Sequence, residues 1–142
     1  MRFWDSSSIV PLLVAQPSSA AVAAAFDRDP VIVAWWGTEV ECTSAIARLE
    51  REGRLGAPGA AIAYRRLEAH AASWQEIQPT SRLRKTAERL LRVHAIRAAD
   101  AFQLAAAMIA ADDDPRSLPF VTLDDRLARA AEREGFPVVE PA

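Results

Sequence analysis

The sequence predicts an α/β domain built on a short, mostly parallel central sheet with helices packed against it. Three observations predict it. Short apolar runs alternate with helical stretches along the whole chain, the pattern of strands joined by crossover helices. The 142 residues suit one compact domain, residues 1–142, with no linker or internal repeat. Acids stand directly after two of the expected strands, Asp5 and Asp124, where open parallel sheets gather their ligands.

Arg2-Phe3-Trp4 reads as a first strand ending at Asp5. Ser6-Ser7-Ser8 offers an N-cap to a helix over Ile9–Ala15, which Pro17-Ser18 breaks; a second helix runs over Ser19–Phe26. Val31-Ile32-Val33 is a continuous β-branched run, as in a strand buried on both faces. Thr38 opens the next helix, where Cys42, Ala45, Ile46 and Leu49 recur at core-facing spacing until Gly53 and Gly56 end it. Ala60–Ala72 is a further helix and Ser73–Gln78 a short strand. Pro79-Thr80 leads into the basic helix Arg82–Arg92, followed by the alanine-rich helix Ala98–Ala111. After a turn-rich loop, Phe120–Leu123 is a strand, Asp124–Glu134 a helix and Pro137-Val138-Val139 a last strand.

Composition excludes several chemistries. Cys42 is the only cysteine, so neither an intramolecular disulfide nor a two-cysteine zinc site can form; a reducing, cytoplasmic setting is expected. His70 and His94 lack a neighbouring His or Cys at ligand spacing. No apolar run reaches membrane-spanning length, so no membrane association is expected. Ala21-Val22-Ala23 looks like a small-residue cleavage site, but Asp5 and Pro11 spoil the preceding segment, so a secretory signal is not expected. The net charge of −2 advertises no nucleic-acid binder, and any basic surface must be local. A phosphate loop of the Gly-x-x-x-x-Gly-Lys-Ser/Thr type is absent. A receiver-like phosphorylation domain needs adjacent early acids and a late lysine, whereas Asp5 stands alone and Lys85 follows no strand.

Asp100 is the most informative residue. Between Ala98 and Ala111 only Asp100 and Gln103 are polar, and a helix apolar nearly all round is normally a buried one. A carboxylate there needs a proton, a cation or a metal ion. Arg97 and the helix dipole are structural compensators of equal weight. Glu41 has a structural reading too, since Thr38-x-x-Glu41 matches a capping box; Asp5 and Asp124 could each cap a helix, and Thr122-x-x-Asp125 has box-like spacing. Were Asp5, Glu41, Asp100 and Asp124 to converge, their repulsion would raise pKa values or demand counter-cations. Mg²⁺ or Mn²⁺ prefers such oxygen donors and can activate water for phosphoryl transfer.

Four segments carry a family resemblance. Phe3-Trp4-Asp5-Ser6-Ser7-Ser8 resembles the opening hydrophobic-Asp-Thr/Ser-Ser motif of PIN domains, with Ser6 where threonine is common. Val40-Glu41-Cys42-Thr43-Ser44-Ala45-Ile46-Ala47-Arg48 resembles their second segment, a glutamate opening a helix. Ile96-Arg97-Ala98-Ala99-Asp100-Ala101-Phe102-Gln103-Leu104-Ala105 resembles the Leu-Arg-x-x-Asp-Ala-x-x-Leu-Ala signature, the most specific of the four. Phe120-Val121-Thr122-Leu123-Asp124-Asp125-Arg126-Leu127 resembles the closing Thr-x-Asp motif. The order is the family's, and the segments span essentially the whole chain.

The resemblance implies a PIN-like fold and a VapC-like toxin of a type II toxin–antitoxin pair. It implies an Mg²⁺- or Mn²⁺-dependent endoribonuclease that hydrolyses RNA through metal-activated water and leaves 5′-phosphate ends. It also implies a cognate small antitoxin and a homodimer. By the same resemblance Asp5 and Asp100 are the main metal ligands and Glu41 and Asp124 complete the catalytic set, with Ser7 and Thr122 as polar supports. Glu39 competes with Glu41, and Asp125 with Asp124. A catalytically inactive PIN-like binding protein is the alternative. Arg82, Arg84, Lys85, Arg89, Arg92 and Arg97 form a local basic stretch that would track RNA phosphates or simply pair with acids elsewhere. Trp35, Trp36 and Trp74 would stack on bases or lie buried, Cys42 belongs to the core, and His94 approaches phosphate or is an ordinary histidine.

Overall fold

The computed structural model describes residues 1–142. Its strands are β1 (Arg2–Trp4), β2 (Ile32–Trp35), β3 (Gln75–Ile77), β4 (Phe120–Val121) and β5 (Val138–Val139). They form one sheet in the order β3-β2-β1-β4-β5, parallel throughout rather than mostly so. The helices are α1 (Ser6–Leu13), α2 (Ser19–Arg28), α3 (Thr38–Arg51), α4 (Ala57–Ser73), α5 (Ser81–Val93), α6 (Ala98–Ala110) and α7 (Asp125–Glu134). No helix is long and apolar enough to cross a membrane.

The alternation of side chains along each strand divides the core in two. Phe3, Val33 and Phe120 point to one face, where α5, α6 and α7 bury Leu83, Leu90, Leu104 and Leu127 against them. Phe3 and Phe120 are register partners whose rings stack at 5.2 Å. Trp4, Ile32, Ala34 and Val121 point to the other face, against Ile9 and Leu13 of α1, Val22 of α2, Cys42 and Ile46 of α3 and Leu67 of α4. With strands this short, the sheet is a spine between two helical layers, and burial of these aliphatic and aromatic groups is the main favourable term.

The strand order places the site. From β1 the chain moves outward through β2 to β3, then returns to β4 and β5 on the opposite side of β1. Right-handed crossovers put the two sets of helices on opposite faces. The order reverses between β1 and β4, and there the loops leaving the carboxyl ends of the two strands diverge and open a crevice.

Several local expectations are corrected. The first helix is capped by Asp5, whose side chain accepts from the Ser8 N–H, so the three serines lie inside α1 rather than before it. Pro11 sits within α1, where it removes one backbone donor, and the helix ends at Leu13. Thr38 and Glu41 form no capping box: Gly37 is the N-cap of α3, and Glu41 turns away to other partners. Thr122 and Asp125 form none either, because Asp124 caps α7 by accepting the Leu127 N–H at 2.9 Å.

Candidate acidic site

Asp5 follows β1 directly and is almost fully buried. Its carboxylate accepts the Ser7 hydroxyl at 2.8 and 2.9 Å and the Ser8 N–H at 3.3 Å. Ser7 Oγ in turn accepts the Leu123 N–H at 3.0 Å and lies 3.3 Å from Thr122 Oγ1, which accepts the Asp124 N–H at 3.0 Å. Ser8 Oγ reaches the Val121 carbonyl at 3.0 Å. Ser7, Ser8 and Thr122 thus bind the end of β1 to the end of β4 across the switch point. Burial pushes the Asp5 carboxyl up to about 7, against the opposing pull of its hydroxyl and amide donors.

Glu41, in the first turn of α3, accepts Ser6 Oγ at 3.2 Å on one oxygen and Gln103 Nε2 at 2.9 Å on the other. Gln103 also contacts Thr38 Oγ1 at 3.0 Å and is itself buried. Partial burial raises the Glu41 carboxyl above its ordinary range, with the Asp100 charge adding to the rise. Asp100, in the first turn of α6, accepts the Arg97 backbone N–H at 3.3 Å, so part of its structural reading is realised. Its carboxyl is nevertheless raised, first by burial and then by the Asp124 charge, and the Arg97 and Arg126 guanidiniums only partly offset this.

Glu41, Asp100 and Asp124 line one open cleft of about 1110 Å³, with Ser6 and Ser7 between them. Asp5 lies behind Ser7. Asp125 lines the cleft as well, whereas Glu39 is solvent-exposed and outside it. In this arrangement no three acidic, histidine or cysteine side chains stand close enough to hold an ion together. Each acid is instead satisfied locally: Asp5 by Ser7 and Ser8, Glu41 by Ser6 and Gln103, Asp100 by its own helix start and Asp124 by α7. The donor set itself suits a hard divalent ion, being oxygen-only, and three of its carboxyls are raised first by burial, with a neighbouring acid adding to the rise at Glu41 and Asp100.

The basic stretch distributes differently from its sequence. Arg82 pairs with Asp113, and Arg89 with Glu134 at 2.8 Å. Arg84 belongs to a separate hollow, and Lys85 and Arg92 are exposed and line neither. Only Arg97 reaches the acidic cleft, where Arg48, Arg54 and Arg126 join it. Those three come from α3, the loop after it and α7, so no contiguous run signalled them. Trp74 is buried and its indole N–H donates to Glu76 at 3.0 Å, which leaves it no stacking face in the cleft. Cys42 is buried and its thiol is pushed up to about 12, first by burial and then by the Glu41 and Asp5 charges, so it is an inert core residue. His94 is buried against Glu134 at 2.7 Å, away from the cleft.

Besides those three arginines, Ser6 and Gln103 are site residues that sequence reasoning missed. A signal existed for Gln103, the lone amide on an otherwise apolar helix. Gln103→Leu is expected to lower stability by about 1–3 kcal/mol, because Thr38 and Glu41 lose a buried donor. A urea midpoint unchanged from that of the unsubstituted chain would contradict this role.

No family model matches the chain, and no curated protein does. Solved structures do. FitAcB from Neisseria gonorrhoeae is 21% identical with a TM-score of 0.69, over 99% of this chain and 98% of that one. A toxin–antitoxin complex from Klebsiella pneumoniae is 15% identical with a TM-score of 0.68, over 100% and 98%. The Mycobacterium tuberculosis toxin VapC20, described as cleaving the sarcin–ricin loop, is 16% identical with a TM-score of 0.68, over 96% of each chain. The chain therefore has the PIN-like fold that the sequence resemblance implies, shared nearly end to end with these solved structures.

Proposed function

We propose that this chain is a divalent-metal-dependent endoribonuclease acting as the toxin of a toxin–antitoxin pair. One observation carries the reading. Acids from the end of β4 and from the starts of α3 and α6 line a single cleft that arginines rim, and Asp5, at the end of β1, is hydrogen-bonded to Ser7 in its wall. The likeness in fold to the toxin VapC20 and to a chain of a toxin–antitoxin complex, across nearly the full length, supports it.

Asp5, Glu41, Asp100 and Asp124 are the residues that would hold Mg²⁺ or Mn²⁺. When bound, such an ion supplies charge stabilisation to the phosphoryl oxygens of an in-line displacement. The chain's own residues do the rest. Ser6 and Gln103 fix both oxygens of Glu41, and Ser7 with Thr122 holds Asp5 at the junction of β1 and β4. Arg48, Arg54, Arg97 and Arg126 draw the RNA backbone over the acids and orient its phosphates. An antitoxin partner and a homodimer belong to the same reading.

Incubating the purified chain with RNA in Mn²⁺, in Mg²⁺ and in chelator tests it. Cleavage is expected with either ion and none in chelator. Equal cleavage in chelator would remove the metal from the mechanism. No cleavage under any condition, with RNA still bound, would favour the catalytically inactive binding protein. Arg97→Glu with Arg126→Glu is expected to weaken RNA binding by about tenfold or more and to flatten its salt dependence. A salt slope equal to that of the unsubstituted chain would remove these two arginines from the RNA path.

A further inference from the structure

A second hollow, which shares no lining residue with the acidic cleft, has a different character. Its walls are aromatic: Trp35 at the end of β2, Trp36 after it and Phe102 on α6. Trp35 and Phe102 stack nearly parallel, 8° between planes and 5.4 Å between centroids. Trp36 meets Trp35 edge-on at 6.2 Å and stays 52% exposed, unusual for the largest apolar side chain. Trp35 can lie against the backbone because residue 37 is glycine, where a Cβ would come within 2.4 Å of the indole nitrogen.

The polar groups of the hollow are donors. Arg84 is its only charged residue and forms no ion pair, and Thr80 and Ser81 add hydroxyls at the start of α5. No carboxylate lines it. Flat aromatic faces, free donors and one unpaired guanidinium match a planar, acceptor-rich, anion-linked group, which describes a nucleotide within a single strand. The hollow is also tied to the acids: Phe102 precedes Gln103, which holds Glu41, and Gly37 precedes Thr38, which bonds the same Gln103.

We propose that this hollow is a nucleobase subsite, in which Trp36 stacks on one unpaired base of the RNA while Arg84 contacts its phosphate or base edge. The proposal rests on the nuclease reading above and adds to it a residue that determines where along a strand the chain binds. It favours single-stranded or looped RNA, because a paired base cannot present its face to Trp36.

Anisotropy of a labelled single-stranded RNA, titrated with the chain in chelator, provides the test. Trp36→Ala is expected to weaken binding by about tenfold or more, the loss usual for one base–aromatic stack, and Trp36→Phe to recover most of it. Arg84→Ala is expected to weaken binding as well. An abasic nucleotide walked along the RNA should abolish the Trp36→Ala difference at one position. RNA bound equally by the unsubstituted chain and Trp36→Ala would overturn the subsite and leave the nuclease reading standing. No RNA binding by the unsubstituted chain would overturn both. If Trp36→Ala instead dissociates an oligomer in sedimentation with RNA affinity unchanged, the hollow is a contact between copies of this chain and the proposal fails.

Discussion

The Asp5→Asn variant is expected to lose RNA cleavage by at least about a thousandfold while becoming more stable than the unsubstituted chain in chelator above pH 7. The two effects share one cause. Asp5 is buried among hydroxyl and amide donors, and burial pushes its carboxyl from 3.8 to about 7. A carboxyl with a raised folded-state pKa stabilises the fold fully at pH values below its unfolded pKa. That contribution is lost as pH rises through the folded value. Metal-free stability should therefore fall between about pH 4 and pH 7, by at most about 4 kcal/mol from this group. Asparagine removes the charge but keeps an oxygen to accept the Ser8 N–H, so the α1 cap survives. Thermal melts in chelator at pH 5 and pH 8 should show the pH loss in the unsubstituted chain and little of it in Asp5→Asn. Asp5→Ala would confuse the comparison, since it also removes the cap. A variant that melts lower than the unsubstituted chain at pH 8, or that still cuts RNA, would mean that Asp5 serves only as a cap.

This coupling marks how much of the site could be read from the sequence. The fold class was legible because the strands are short, apolar and separated by amphipathic or alanine-rich stretches, so period and punctuation agree. Asp100 was legible as an anomaly on an apolar helix. The partners of the acids were not, because hydrogen bonds across the chain leave no periodic trace. Nothing about Ser6 announces that it meets Glu41 35 residues later, or about Gln103 that it spans Thr38 and Glu41. Local rules misassigned Glu41 for the same reason: the capping box weighs only neighbours, and a buried amide 62 residues away offered a better donor. The basic stretch misled in the opposite direction. Arg82 and Arg84, two residues apart on α5, point to different faces, Arg89 meets Glu134 of α7, and Arg97 lies beyond α5 at the start of α6, so the run disperses. The arginines of the cleft come from separate elements and could be found only once the fold had assembled them.

The Glu134→Ala variant is expected to destabilise the chain by about 2 kcal/mol or more, and to do so without touching the acidic cleft. Glu134 is the last residue of α7, and its carboxylate receives Arg89 at 2.8 Å and His94 at 2.7 Å, both from the end of α5 and the residue after it. Truncation leaves His94 buried with neither ring nitrogen partnered, since Nδ1 has no partner already. Partly exposed Arg89 can rehydrate, so it contributes less. Burial raises the Glu134 carboxyl, but the hydrogen bonds from Arg89 and His94 outweigh it and hold the group below its ordinary 4.5. A lowered pKa gives stability that is present above the unfolded value and lost as pH falls through the folded one. The sign is opposite to that of Asp5, so the Glu134 contribution is lost towards acid and the Asp5 contribution as pH rises towards 7. Asp5 follows β1 and caps α1, whereas Glu134 ends α7, and the two share no hydrogen-bond partner, so their effects should add. Glu134→Ala should flatten the acid limb of the stability profile, Asp5→Asn the neutral limb, and the double variant both. Denaturant midpoints across pH 3 to 8 would resolve the two limbs, and a Glu134→Ala profile parallel to that of the unsubstituted chain would dissociate the α5–α7 contact from the fold's pH response.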